Sequence, residues 1–448
     1  MKKIVIKNEV AANLLSNLSA YRSKQNGIRF TIGMKSLGDG LASQVTIVNK
    51  GQMADIGFKT ELPEDMSEFI EGTPYMLFNL KADDFCNYLG VMLDYKADIS
   101  FEYDEKQLVL AVGEQVKIPL ALIPDDNMEP LLARDHNNGL VRIEIKTEDF
   151  MMLLKKGGFL SKPDADSRMI TDRVAFKFSG NRCAVYSSDS YSVAKAWCNA
   201  DITYADAQRA LYYLRVKGSG LSKEAQVEMM TEMKKYQTDP VGMIAYARQL
   251  GYVSDADFFI SLPSASVLTL QKIFATVETL QIVITPDNFH VCAGNVLSIF
   301  ALAGEVSKMY ENTVDKWESA EWNAKVVTDK ENLSRALNIL KLGNTKIPFH
   351  LAMGGNGIAV SKEGNEIHTT ALATDGNIGG IDSYFSVDRV LDALSKLSNG
   401  NLILRFVTDN ANHPLSISNG SLNEENINSY AYILPVNMPS ETATDENK

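Results

Sequence analysis

At 448 residues the chain is longer than one core normally serves, and three domains of roughly 100 to 150 residues fit the usual size. A hydrophobic share of 45% is that of a globular protein, and a formal net charge of -12 is the opposite of the basic balance carried by proteins that grip nucleic acid through charge alone. No apolar run reaches about 18 residues and the N-terminus carries no signal-like segment, so a soluble cytoplasmic protein is expected, with Cys86, Cys183, Cys198 and Cys292 as reduced thiols without CxxC spacing.

In chain order, KIVIKNEVAANLLSNLSAY (3–21) gives an alternating strand followed directly by a helix. FNLKADDFCNYLGVMLDYKADISFEYDEKQLVLAVG (78–113) then reads as strand, helix, strand, turn, strand. The same two patterns return. VRIEIKTEDFMMLLKKGGF (141–159) repeats the first and FISLPSASVLTLQKIFATVETLQIVITPDNFHVCAG (259–294) the second. AKVVTDKENLSRALNILKL (324–342) and FSVDRVLDALSKLSNGNLILRFVTDNANHPLSI (385–417) repeat them once more. In the last copy Val387, Val390, Leu391 and Leu394 share one helix face, and the helix after residue 328 is expected to open on a capping box of Thr328 and Glu331. Strand-like runs with Gly or Asn turns, clearest in 180–197 and 355–373, fill the intervals.

The expected division is therefore three similar modules, each with two helices on antiparallel strands: residues 1–138, 139–322 and 323–438, followed by a disordered tail at 439–448. Turn residues collect at both boundaries, in 123–139 and 311–322. The middle module carries a surplus, about 201–255, rich in polar helix formers. It reads as an inserted helical hairpin on a β edge, and a partner-docking arm and a neutral decoration are both open as its role.

Two short segments carry a family resemblance. SDSYSVA (188–194) and YAYILPVNM (430–438) resemble the signature turn and the closing strand of the bacterial sliding clamp, the β subunit of DNA polymerase III. The repeat order, 385–417 and IPLALIPDDNMEPL (118–131) extend the likeness over nearly the whole chain outside the insertion. Departures are specific. Ser190 stands where the family has Gly and Ser192 where it has Arg, GEVSKMY (304–310) lacks the family's Pro, and Asn437 follows Ile-Leu-Pro-Val in place of Arg. Which partner peptides bind, and whether this is a main clamp or a divergent phage or mobile-element version, are the points those changes leave open.

The resemblance implies an α+β protein of three clamp modules that closes into a ring around double-stranded DNA. Helices packed side by side sit ~9 Å apart, so six in a circle leave a diameter of about 17 Å and twelve about 34 Å. A duplex whose major groove alone is ~12 Å wide needs the larger ring. Two chains are therefore expected, joined head to tail through Val116, Ile118 and Leu120 on one side and Ile339 and Leu340 on the other. Arg22, Lys24, Lys155, Lys156, Arg335 and Lys341 are the expected DNA-facing cations. They need only tolerate the duplex, because phosphate contacts carry no base information. An apolar pocket for short peptides of polymerase, clamp loader and repair proteins is expected from Thr171, Ser188, Ser190, Tyr191, Ser192, Val193 and Val314, facing Pro414, Leu434, Pro435 and Val436.

Catalytic readings are weak. Ser192-Val193-Ala194-Lys195 matches a Ser-x-x-Lys motif but falls in an alternating strand rather than at a helix start. MGGNG (353–357) lacks the Lys-Ser/Thr of a phosphate loop and reads as a hairpin turn, and ATDGN (373–377) reads as a loop after a strand. The five histidines, His136, His290, His350, His368 and His413, have no metal-ligand spacing, so no enzyme activity, metal or cofactor is expected. The competing reading is a clamp-like protein adaptor, or a β-rich repeat scaffold, without DNA binding.

Overall fold

A computed structural model describes residues 2–19, 27–34, 41–49, 52–60, 75–104, 106–124, 139–162, 171–218, 220–236, 238–250, 258–274, 277–293, 296–303, 313–314, 316–342, 347–354, 357–408, 410, 412–420, 422 and 428–436. Expectations placed on Arg22, Lys24, His136, 304–310, Asn437 and the 439–448 tail lie outside these residues. The chain divides into two compact units, one of Met1–Glu148, Ala200–Asp257 and Ala265–Leu302, the other of Asp149–Asn199, Phe258–Ser264 and Ala303–Lys448.

In the first unit a four-stranded antiparallel sheet runs Lys2–Ile6, Ile99–Tyr103, Gln107–Val112, Val116–Ala121 in spatial order. The helices Asn8–Ser19 and Ala82–Leu93 pack together, and Phe85 meets Phe101 edge-on at 5.9 Å between ring centroids. The unit's other sheet has nine strands, in the order Asp201–Tyr204, Val141–Lys146, Thr279–Ile284, Asn288–Ala293, Val296–Ala301, Gln52–Thr60, Leu41–Asn49, Gly27–Met34, Tyr75–Lys81. Its middle pairing sets Val296 opposite Phe58 and Phe300 opposite Ala54, strands from different sequence repeats.

The second unit holds a twelve-stranded sheet ordered Phe258–Pro263, Arg173–Ser179, Arg182–Ser188, Ser192–Asn199, Ser429–Ile433, Leu415–Asn419, Asn401–Phe406, Ala324–Asp329, Asn365–Gly376, Gly357–Lys362, Phe349–Gly354, Asp382–Phe385. Its helix Lys330–Lys341 buries Leu333, Ala336, Leu337 and Leu340, and the helix Val387–Lys396 buries Val387, Val390, Ala393 and Leu394, all in one core. Each such leucine removed from water is worth roughly 1.5–3 kcal/mol, which fixes these short helices more firmly than their own propensity does.

Three local expectations are corrected. The capping residue of Lys330–Lys341 is Asp329, whose carboxylate accepts from Asn332 N at 2.9 Å. Thr328 is still in the strand, buried, and its hydroxyl donates to Thr370 O at 2.9 Å, so the first unpaired helical N–H falls one residue later than the capping box placed it. The insertion is not a hairpin: a strand, Asp201–Tyr204, leads into three helices, Asp206–Gly218, Lys223–Lys235 and Pro240–Gln249. The third is nucleated by an Asp239 cap with Pro240 in its first turn, and the trio shares a core of Ala210, Leu214, Met229, Met243 and Ala247. The 373–376 stretch ends a strand instead of forming a loop. There Gly376 (φ 80°) lies so close to Asn323 that a Cβ would sit 2.0 Å from its carbonyl oxygen.

Candidate partner pocket and cationic face

The turn between Arg182–Ser188 and Ser192–Asn199 is built from its own polar side chains. The Asp189 carboxylate accepts from Tyr191 N at 2.9 Å and Ser192 N at 2.6 Å, while Ser188 Oγ accepts from Ser190 N at 3.1 Å and donates to Ser192 O at 2.8 Å. With these bonds made, Ser190 is held at φ 76°, in the left-handed region that the family pattern fills with Gly. Tyr191 projects outward, 52% exposed. Arg389, on the helix Val387–Lys396, stacks over its ring at 3.9 Å and lies 3.7 Å from the Asp189 carboxylate.

The chain's last described residues close against this turn. Leu434 N donates to Tyr191 O at 2.9 Å and Val436 N to Tyr384 O at 2.9 Å, so 434–436 bridges from the turn to the edge strand Asp382–Phe385, half-buried throughout. Beneath it Val193, Val314 and Tyr432 are buried together with Ala175, Ala184 and Tyr186. Trp197, Trp317, Trp322 and Tyr430 pack on that cluster, which thus gathers all three tryptophans of the chain. Trp322 meets His413 edge-on at 4.7 Å next to the buried Pro414. Burial drives the Tyr432 hydroxyl well above its ordinary pKa, and Lys195, paired with Glu318, lies over the Tyr186 and Trp197 rings at 5.5 and 5.4 Å.

The structure thus joins Tyr191 to Leu434 by a backbone hydrogen bond, pairs Ser192 and Val193 with Ile433 and Tyr432, and buries Val193 and Val314 in one cluster. Thr171 is in the turn before Arg173–Ser179, and that strand is two removed from Ser192–Asn199 in the sheet. Sequence reading missed Arg389, Tyr384 and the aromatic floor. The clustering of Trp317 and Trp322 within six residues of a module boundary was the available signal for the last of these.

The expected cations differ in environment. Lys155 is exposed, and Lys156, half-buried, is lowered in pKa by burial first and by Lys155 second. Both lie in the last turn of Thr147–Gly157, where the helix dipole favours them whatever else they do. Lys330 belongs to the same group: burial and then Lys155 lower its pKa, and it donates to Leu397 O at 2.7 Å. Lys396 stands over Phe159 at 6.0 Å. Arg335 is exposed. Lys341 is already paired with Asp388 at 2.7 Å, which raises its pKa. Of the expected joining residues, Val116 and Ile118 are half-buried on the edge strand Val116–Ala121 and Ile339 is 51% exposed. Leu120 and Leu340 are 5% and 4% exposed, Leu340 being part of its own unit's core, and Leu342 at 88% is the exposed apolar neighbour instead.

No family model matches the sequence, and no curated protein matches it. Solved structures do. A DNA polymerase III β subunit of Thermotoga maritima superimposes with a TM-score of 0.69 at 12% identity, covering 98% of this chain and 100% of that one. A DNA polymerase sliding clamp of Bacillus subtilis gives 0.68 at 16% identity, and a DNA polymerase III β chain of Streptococcus pneumoniae 0.67 at 15%, each with the same coverage. The chain has the sliding-clamp fold. At such identity the sliding-clamp fold is kept by the pattern of buried positions, since apolar residues of similar volume exchange freely in a core. The α+β arrangement of paired helices on long antiparallel sheets is the clamp arrangement.

Proposed function

We propose that this protein is a processivity factor: two copies close a ring around double-stranded DNA, and the seat formed by 188–193 and 434–436 holds short peptides of a polymerase and other replication proteins. The observation that carries the reading is a clamp fold matched over 98% of the chain, against structures named as DNA polymerase III β subunits. Three modules of 1–138, 139–322 and 323–438 suit it, because two chains then supply the twelve helices a duplex-wide hole requires. The protein is non-enzymatic in this reading, and works as a soluble cytoplasmic tether.

The test of DNA encirclement is charge reversal at Lys155, Lys156, Lys330 and Arg335 to Glu. Polymerase processivity on primed circular DNA should fall several-fold at low salt, and the difference from the parent should shrink as salt rises. Unchanged processivity would favour the second reading, a clamp-fold protein adaptor without DNA. The net charge of -12 and the Lys341–Asp388 pair are the observations on that side.

A further inference from the structure

We infer that Cys183 and Cys198 form a reversible cross-strand disulfide, a modification site independent of the proposed pocket and ring. The two cysteines face each other directly in the antiparallel pairing of Arg182–Ser188 with Ser192–Asn199. Both are free thiols, Cys183 buried and Cys198 partly exposed. The hydrogen-bonding phase of the hairpin sets their spacing. Asp189 N donates to Ser192 O at the turn, while Trp197 N points the other way, to Asn428 O. Counting from either end, Cys183 and Cys198 occupy a hydrogen-bonded pair, whose Cα atoms lie about 5.5 Å apart. That is inside the ~4.4–6.8 Å range of disulfides. The Cβ atoms of such a pair are about 5.5 Å apart, against the ~3.5–4.5 Å a disulfide needs. Closure must therefore draw the strands together by about 1 Å, and a bond made under strain is the easily reduced kind that serves as a transient mark in a reducing compartment.

The chemistry balances with a low-molecular-weight disulfide as oxidant. The partly exposed Cys198 loses its proton and attacks one sulfur of that disulfide, forming a mixed disulfide and expelling one small thiolate. Cys183, opposite, loses its proton to solvent and attacks Cys198 Sγ, closing the protein disulfide and expelling the second small thiolate. Two protein thiols are oxidised and one small disulfide is reduced to two thiols. Partial burial of Cys198 makes the first step slow, which separates this pair from a fast peroxide-sensing cysteine.

The experiment incubates the full-length protein with oxidised and reduced glutathione over a range of ratios, blocks remaining thiols by alkylation after denaturation, and maps the peptides by mass spectrometry. Expected are a Cys183–Cys198 cross-link that appears as the ratio turns oxidising and disappears on return to reducing conditions, and alkylated Cys86 and Cys292 throughout. In Cys183→Ser the expectation is a persistent glutathione adduct on Cys198, and near-UV circular dichroism matching the parent shows that this variant folds. A parent protein that stays fully alkylated at the most oxidising ratio overturns the proposal. So does one that stops at the mixed disulfide on Cys198.

Discussion

At the scale of single residues, the turn at 188–192 holds a strained backbone in place with side-chain hydrogen bonds. Ser190 is a non-glycine residue at φ 76°, held there by Ser188 Oγ and the Asp189 carboxylate on either side. A left-handed L-residue costs roughly 1–2 kcal/mol, and glycine's greater freedom when unfolded offsets part of the relief it brings. Ser190→Gly should thus raise the unfolding free energy in denaturant titration by up to about 1 kcal/mol, and Ser190→Val should lower it by about 1–2 kcal/mol. The buried thiols make a pH prediction. Burial, with the charge of Asp149 as a smaller cause, pushes the Cys198 thiol from 9.0 up to about 12, and burial raises Cys183 as well. The folded chain then keeps protons that the unfolded chain releases above pH 9, so stability is complete below that pH and declines as pH rises toward about 12. In reducing buffer, the melting temperature of the parent should fall more steeply above about pH 9 than that of Cys198→Ala.

At the scale of elements, two contacts determine how helices meet sheet and solvent. Gly157 ends the helix Thr147–Gly157 against the strand Arg182–Ser188: a Cβ there would lie 2.5 Å from Val185 O, while Ser187 Oγ donates to Gly157 O at 2.6 Å and accepts from Leu160 N at 3.2 Å. Gly157→Ala must push a helix end off backbone that cannot yield, and a loss of about 1–3 kcal/mol is expected from urea unfolding. Asp329 is the sole side-chain cap on Lys330–Lys341 among the described residues, so Asp329→Ala should cost about 1 kcal/mol. Glu331→Ala, a test of the capping box that the structure does not form, should change stability by less than about 0.5 kcal/mol.

At the scale of the whole molecule, the proposed ring makes one inexpensive prediction: light scattering in solution should return the mass of two 49.4 kDa chains, and Val116→Asp or Ile339→Asp should return one. Much of this protein is legible in its amino-acid sequence alone. The thrice-repeated strand and helix patterns are set by apolar spacing, a local property, so Val387, Val390 and Leu394 could be assigned to one buried face from order alone. Likewise the turn at 188–191 and the strand Ser429–Ile433 were each visible in themselves. What only the tertiary structure decided depends on partners distant in the chain. Thr328 pairs with residue 370 and so cannot cap; Arg389 finds Tyr191 across some two hundred positions; Leu340 turns into its own core and leaves Ile339 and Leu342 outside; Cys183 comes to face Cys198. Periodicity determines which face of an element is apolar, whereas the identity of the group that meets it is settled only when the sheets close.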